Sequence, residues 1–231
     1  MSDVQRALAV DTSTELMAVA VRGADGTTRL EAERGLQHGA ELGPAVAAAL
    51  AAAGVAAGEL ELIVVGVGPG SFTGVRIGLA TAQGLAAPNR VPVAGVSGLD
   101  ALGWRYRAYP GLVVPTIDGR KQRVYSALYR AGERTGEYLD LSASDLVAAV
   151  ATEAQGASAG VPPMLCGPAA GPVRAATAEA TSRWYVDSSA GGAVIPIGEL
   201  LELGMVRGGE PAKAIRPLYL RKSEAELGIR S

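Results

Sequence analysis

An α/β fold in two successive units is what this sequence predicts, and three observations carry it. Short apolar runs of strand length alternate with helix-length segments. Two of those runs, Ala7 to Val10 and Leu112 to Ile117, end on an acidic residue and are answered by a returning strand. A glycine-rich turn, Gly68-Pro69-Gly70, joins a buried strand to a helix. In the first unit, Ala7 to Val10 leads into Asp11-Thr12-Ser13-Thr14, Met17 to Arg22 returns, and Ala24-Asp25-Gly26 turns the chain into Thr27 to Glu33. A helix from about Ala40 to Ala53 follows, with Pro44 expected in or near its first turn, where a missing N–H is tolerated. Leu62 to Val67 is the fourth strand, a helix runs to about Ala87, and Val91 to Val96 closes a unit ending near Tyr106.

The second half begins the pattern again. Leu112 to Ile117 ends in Asp118-Gly119, and Val124 to Tyr129 returns. Ser142 to Ala151 reads as a helix opened by a serine cap, with Asp145 at the third position of a capping box. Met164 to Cys166 precedes the turn Gly167-Pro168-Ala169-Ala170-Gly171, and Ile197 to Leu203 is a short helix. Two units, residues 1–106 and 107–231, are the expected domains.

Composition narrows the function classes. The chain is 48% hydrophobic and 19% charged, too apolar for disorder, and its net charge of −2 offers no basic excess for binding nucleic acid unaided. A single cysteine, Cys166, excludes an internal disulfide and fits a reducing cytoplasm. The N-terminus lacks a signal-peptide core, and the alanine-rich stretch Leu42 to Gly58 is broken by Gly43, Pro44 and Gly54, so no membrane span is expected.

The stretch Gly66 to Ala86 is the most informative. Ser71 or Thr73 can cap its helix, Gly74 and Gly78 share a face, and Arg76 is the only charge. Interior glycines cost about 1 kcal/mol each against alanine, which calls for a compensating close approach by another helix. The turn lacks the Gly-Lys-Ser/Thr ending of a P-loop and does not follow the first strand, as a dinucleotide fingerprint would; tight-turn geometry explains it better.

These residues resemble a known family. Leu8-Ala9-Val10-Asp11-Thr12-Ser13-Thr14, the block from Gly68 to Gly78, Gly95-Val96-Ser97 and the tail Pro217-Leu218-Tyr219-Leu220-Arg221 are similar to the TsaB (YeaZ) family. The resemblance implies the actin-like, sugar-kinase and Hsp70 (ribonuclease H-like) fold, with two related subdomains of mixed five-stranded sheets, the second reduced. It implies a non-catalytic subunit in forming N6-threonylcarbamoyladenosine at position 37 of tRNAs reading ANN codons. The implied partners are the catalytic relative TsaD and the ATPase TsaE, with tRNA met mainly through the complex. No cofactor is implied.

In catalytic relatives two histidines bind a metal, and the positions here that match them are Gly98 and Leu102, whose side chains cannot ligate. The one histidine, His38, cannot supply a pair. It either borders the first helix or, less in keeping with the absence of any catalytic motif, acts as a base with Ser97 and Asp100. Asp11, Thr12, Ser13 and Asp118 are candidate nucleotide-binding residues, since hydroxyls and backbone N–H groups can hold an anion; the alternative is that they satisfy their own turns. Two other functions stay open: an ATP-binding or phosphotransferase protein of the same fold, and a glycoprotease-like peptidase. The partner surface is expected on the two charge-poor helices, at Leu42, Val46, Ala49, Ala53, Gly74, Arg76, Gly78, Thr81 and Gln83, with a second stripe at Ala45, Ala48 and Ala52. The same helices are expected to self-associate when the chain is alone.

Overall fold

The computed structural model describes residues 4–26, 28–34, 38–154, 160–187 and 195–221. The chain opens with β1 (Ala7–Asp11), β2 (Leu16–Arg22) and β3 (Thr28–Arg34), then α1 (His38–Ala53), β4 (Leu62–Gly66), α2 (Phe72–Ala86), β5 (Val93–Val96) and α3 (Gly98–Arg105). These strands form a sheet of order β3-β2-β1-β4-β5, antiparallel across the first three and parallel from β1 to β5. The apolar run of β1 makes it a central strand, with Val10 opposite Val19 on one side and Val65 on the other.

The pattern then repeats. It runs β6 (Val113–Asp118), β7 (Val124–Ser126), a hairpin of β8 (Tyr129–Arg130) and β9 (Glu133–Arg134), β10 (Leu139–Leu141), α4 (Ala143–Ala154), β11 (Met164–Cys166), α5 (Ala170–Ala176), β12 (Tyr185–Val186) and α6 (Ile197–Arg207). The main path of the second sheet is β10-β7-β6-β11-β12, which reproduces the first sheet strand for strand, including the directions. The β8–β9 hairpin is an addition paired to the edge of β6. Its turn places Ala131 and Gly132 at φ 50° and 82°, the left-handed pair that matches the twist of the flanking strands.

Several expectations are corrected. The single returning strand Val124 to Tyr129 is two strands, because the chain leaves β7 after Ser126 and pairs again as β8. Pro44 lies in the second turn of α1, since the helix starts earlier, at His38. Ser142 caps α4 as foreseen, its Oγ accepting from the Asp145 N–H (3.1 Å) and donating to the Asp145 carboxylate (2.7 Å).

The third helix of each unit packs across the molecule. α3 leaves the first unit and lies on β6, whereas α6 leaves the second and lies on β1, β2, β4 and β5; the two helices touch. One apolar cluster therefore runs through both units, joining Leu62 and Val64 of the first sheet to Leu99, Leu102, Val113, Tyr129, Leu200 and Leu201. After α6 the chain stays with the first sheet, where Glu210 bridges to Val93 and the Leu218 N–H bonds the Val67 carbonyl (2.8 Å). The division at residue 106 thus fails for α6 and the segment after it, which bury their apolar faces on the first unit. No helix among the described residues is long and apolar enough to cross a membrane.

Candidate functional site

The β1–β2 turn is closed by the chain itself. Asp11, Thr12 and Ser13 are each 1% exposed. The Asp11 carboxylate accepts from the Ser13 N–H (3.0 Å) and Ser13 Oγ (2.9 Å), and it lies so close to Gly66 of β4 that a Cβ there would collide with it. Thr12 Oγ1 donates to the Gly74 carbonyl (2.7 Å), and the Ser71 N–H donates to the Ser13 carbonyl (2.7 Å). Ser71 caps α2, its Oγ accepting from the Gly74 N–H (3.2 Å). The three candidate anion ligands therefore satisfy their own turn beneath α2. The equivalent turn of the second unit is open: Asp118 is exposed and accepts from the Arg120 N–H (2.8 Å), and Arg120, Lys121 and Gln122 follow with positive φ.

This closure explains the glycines of α2. A Cβ on Gly74 would strike the Thr12 carbonyl oxygen, and one on Gly78 would lie 2.6 Å from Thr12 Oγ1. Gly74 and Gly78 thus admit the chain's own first turn, not a foreign helix, and the expectation that placed them at a partner surface is corrected. The stripe Leu42, Val46 and Ala49 is corrected likewise. It is buried with Leu8, Val10 and Val19 of the sheet, because the larger side chains of α1 take the core face. Ala53 is half-buried, and Ala45 of the second stripe is buried too.

What α1 and α2 turn outward is a narrower set. On α1 it is Gly43, Pro44, Ala47, Ala48, Ala51 and Ala52; on α2 it is Thr73, Arg76, Ala80 and Gly84, flanked by half-buried Ile77 and Thr81. Gln83 donates to the Ala212 carbonyl (3.1 Å) and anchors the returning chain. The helices lie side by side, so these residues form one surface on which Arg76 is the only fully exposed charge among the described residues of the two helices.

The C-terminal segment that sequence reasoning used only as a family mark proves structural. Tyr219 stacks on Phe72 (centroids 4.5 Å) and accepts from Arg76 Nε (3.0 Å), while the Arg76 guanidinium lies 3.8 Å over the Phe72 ring. Two residues on, Arg221 makes a forked pair with Asp140 of β10 (2.9 and 3.1 Å). The only sequence signal for this was a cluster of aromatic and basic residues 143 positions apart, which periodicity cannot pair.

The remaining candidates part company. Ser97 caps α3, its Oγ accepting from the Leu99 N–H (3.2 Å). Asp100 is buried and accepts from Tyr129 (2.6 Å), Tyr138 (2.9 Å) and Arg207 (2.8 Å), which ties α3 to the second sheet and to α6. Burial, aided by the Asp100 carboxylate, pushes the Tyr138 phenol up to about 12 and Tyr129 further in the same direction. Both residues of the imagined triad are thus committed elsewhere; His38 opens α1, and its side chain lies outside the described set. Gly98 and Leu102 are buried on α3, with Gly98 packed against Ile195 and Ile117. Cys166 is fully buried, and burial raises its thiol well above the ordinary range.

Two sheets of one order, exchanging their third helices, define an α/β protein of the actin-like class. A solved structure from Bacteroides thetaiotaomicron, described as a protein with actin-like ATPase fold and unknown function, shares this architecture at a TM-score of 0.50 and 8% identity, over 87% of this chain and 99% of that one. Residues 32–165 match the family described as "TsaD: tRNA N6-adenosine threonylcarbamoyltransferase". YeaZ from Pseudomonas aeruginosa is 32% identical, with a TM-score of 0.74 over 95% of this chain and all of that one. "tRNA threonylcarbamoyladenosine biosynthesis protein TsaB" of Bacillus subtilis is 38% identical over 125 residues, 53% of this chain and 54% of the relative. The chain belongs to the TsaB (YeaZ) family. It spans about half the length of the curated relatives it matches.

Proposed function

We propose that this chain is a non-catalytic subunit in forming N6-threonylcarbamoyladenosine at position 37 of tRNAs reading ANN codons. It docks on TsaD through the outer faces of α1 and α2 and works with TsaE, in the cytoplasm. The observation that carries the reading is that outward surface of alanine, glycine and threonine, with one exposed charge. A monomer gains nothing from leaving such a face bare, whereas small side chains let a second pair of helices approach closely with little rotamer entropy lost. The closed β1–β2 turn supports a scaffold over an ATP-binding protein, because the Asp11 carboxylate, the Thr12 and Ser13 hydroxyls and the Ser13 N–H are already engaged within the chain. Gly98 and Leu102 at the positions of the metal-binding histidines support it over a peptidase. In isolation the same face pairs two copies of the chain.

The test is reconstitution. With TsaD, TsaE, threonylcarbamoyl-adenylate and an unmodified tRNA, adding this chain should raise the yield of modified adenosine, and the chain should co-purify with TsaD. Modification that proceeds equally without it overturns the reading.

A further inference from the structure

We infer that Arg76 is the charged anchor of the docking face, and that a partner protein meets it with a carboxylate side chain. The inference rests on the docking reading above and adds the chemistry the partner must carry.

The arginines of this chain differ in what holds them. Arg221 and Arg207 are committed to Asp140 and Asp100, whereas Arg76 has no carboxylate partner among the described residues. It is nonetheless held in place. Its guanidinium carbon lies 3.8 Å from the centroid of the Phe72 ring, its Nε donates to Tyr219 Oη, and the Tyr219 ring stacks on Phe72 in turn. The aromatic bed takes one face of the guanidinium and one of its edges, which leaves the two terminal nitrogens as a fork. A fork of that kind pairs bidentately with a carboxylate. Because Phe72 and Tyr219 have already restricted the side chain, less rotamer entropy is lost when a partner engages it.

Position decides the sign of the effect. Arg76 is exposed at the edge of a surface otherwise lined by Thr73, Ala80, Gly84 and the alanines of α1. A neutral partner covering that surface would strip water from a cation and return nothing, which is strongly unfavourable. A partner bearing Asp or Glu there turns the same burial into a charge-assisted pair and steers encounter. The requirement also discriminates. In a second copy of this chain, the acidic side chain on α1 is Glu41, half-buried and with its Oε2 already out of solvent. Self-pairing is therefore the weaker of the two associations. Tyr219 acts as a positioning residue, so the C-terminal segment contributes to docking although it lies outside both helices.

The test titrates TsaD with the full chain and with Arg76→Gln, Arg76→Glu and Tyr219→Phe at two salt concentrations, with Tm recorded for each. Arg76→Gln should weaken binding about 30-fold or more and Arg76→Glu further, as expected for truncating one side of a desolvated charge pair. Tyr219→Phe, which keeps the stack and loses the hydrogen bond, should cost several-fold. Wild-type affinity should fall more steeply with salt than that of Arg76→Gln, a readout that a merely structural role would not move. Arg76→Gln and Arg76→Glu binding within twofold of wild type, while Ala48→Arg on α1 abolishes binding, overturns the inference and leaves the docking reading intact. A wild-type chain that does not bind TsaD overturns both.

Discussion

The two units share one topology and are held together differently. The strands of the first are 4 to 7 residues long, and β1, β2, β4 and β5 are mostly apolar in sequence. Those on the main path of the second fall to 6, 3, 3, 3 and 2 residues, too short for the sheet alone to order. Side-chain bonds replace the lost ladder: Asp100 gathers Tyr129, Tyr138 and Arg207, and Asp140 gathers Arg123 and Arg221. The turns diverge in the same sense, sealed under α2 in the first unit and open at Asp118 in the second. The outer helices differ too, for the exposed face of α1 carries alanine, glycine and Pro44, whereas α4 exposes Ser144, Asp145, Thr152 and Glu153 beside Ala148 and Ala151. One frame thus serves packing and surface in the first unit and polar fastening in the second.

The sharpest way to break this contrast is at matched glycines near the start of α2 and α5. Gly74→Ala should destabilise by about 3 kcal/mol or more, a fall in Tm of about 6–12 °C, because the new methyl meets backbone that cannot move. Gly171→Ala meets nothing within 4 Å and should leave Tm unchanged or raise it by about 2–4 °C. Equal effects would deny that the first turn is sealed. Tyr129→Phe should follow, at about 1–3 kcal/mol, since it removes the closest donor (2.6 Å) from a buried carboxylate; chemical denaturation reads the loss. The smallest effect concerns pH. Tyrosines whose folded pKa is raised contribute stability that is complete below their unfolded value near 10 and is lost as pH rises from there toward about 12, the folded value at Tyr138. Tm should therefore drop above about pH 10, and less so in Tyr129→Phe; a Tm flat to pH 11 would contradict it.

How far the sequence could be read follows the same division. The first unit was legible because buried strands announce themselves as Leu8-Ala9-Val10 and Leu62-Ile63-Val64-Val65, and because turn chemistry is local at Asp11-Thr12-Ser13 and Gly68-Pro69-Gly70. The second unit was harder. Two- and three-residue strands such as Tyr185–Val186 carry no periodicity, and the β8–β9 hairpin interrupts what reads as one strand. The surface was half legible. Alanine-rich helices signalled an unusual face, but alanine and glycine do not say which way they point. Leu42, Val46 and Ala49 turned inward because leucine and valine gain more from burial than alanine. Gly74 and Gly78 turned toward Thr12, a contact between residues 62 positions apart that only the fold brings together.

The claim that matters most is that the outer face of α1 and α2 is where TsaD docks, and matched substitutions on the two units test it most directly. Ala48 on α1 and Ala148 on α4 are both exposed alanines on outer helices of corresponding units. The measurement is the affinity for TsaD of Ala48→Arg and Ala148→Arg, each confirmed to keep the wild-type Tm. Ala48→Arg should abolish binding and, in the reconstituted reaction, the gain in modified tRNA, while Ala148→Arg should match the wild type in both. Undiminished binding by Ala48→Arg, or a loss confined to Ala148→Arg, would contradict the claim.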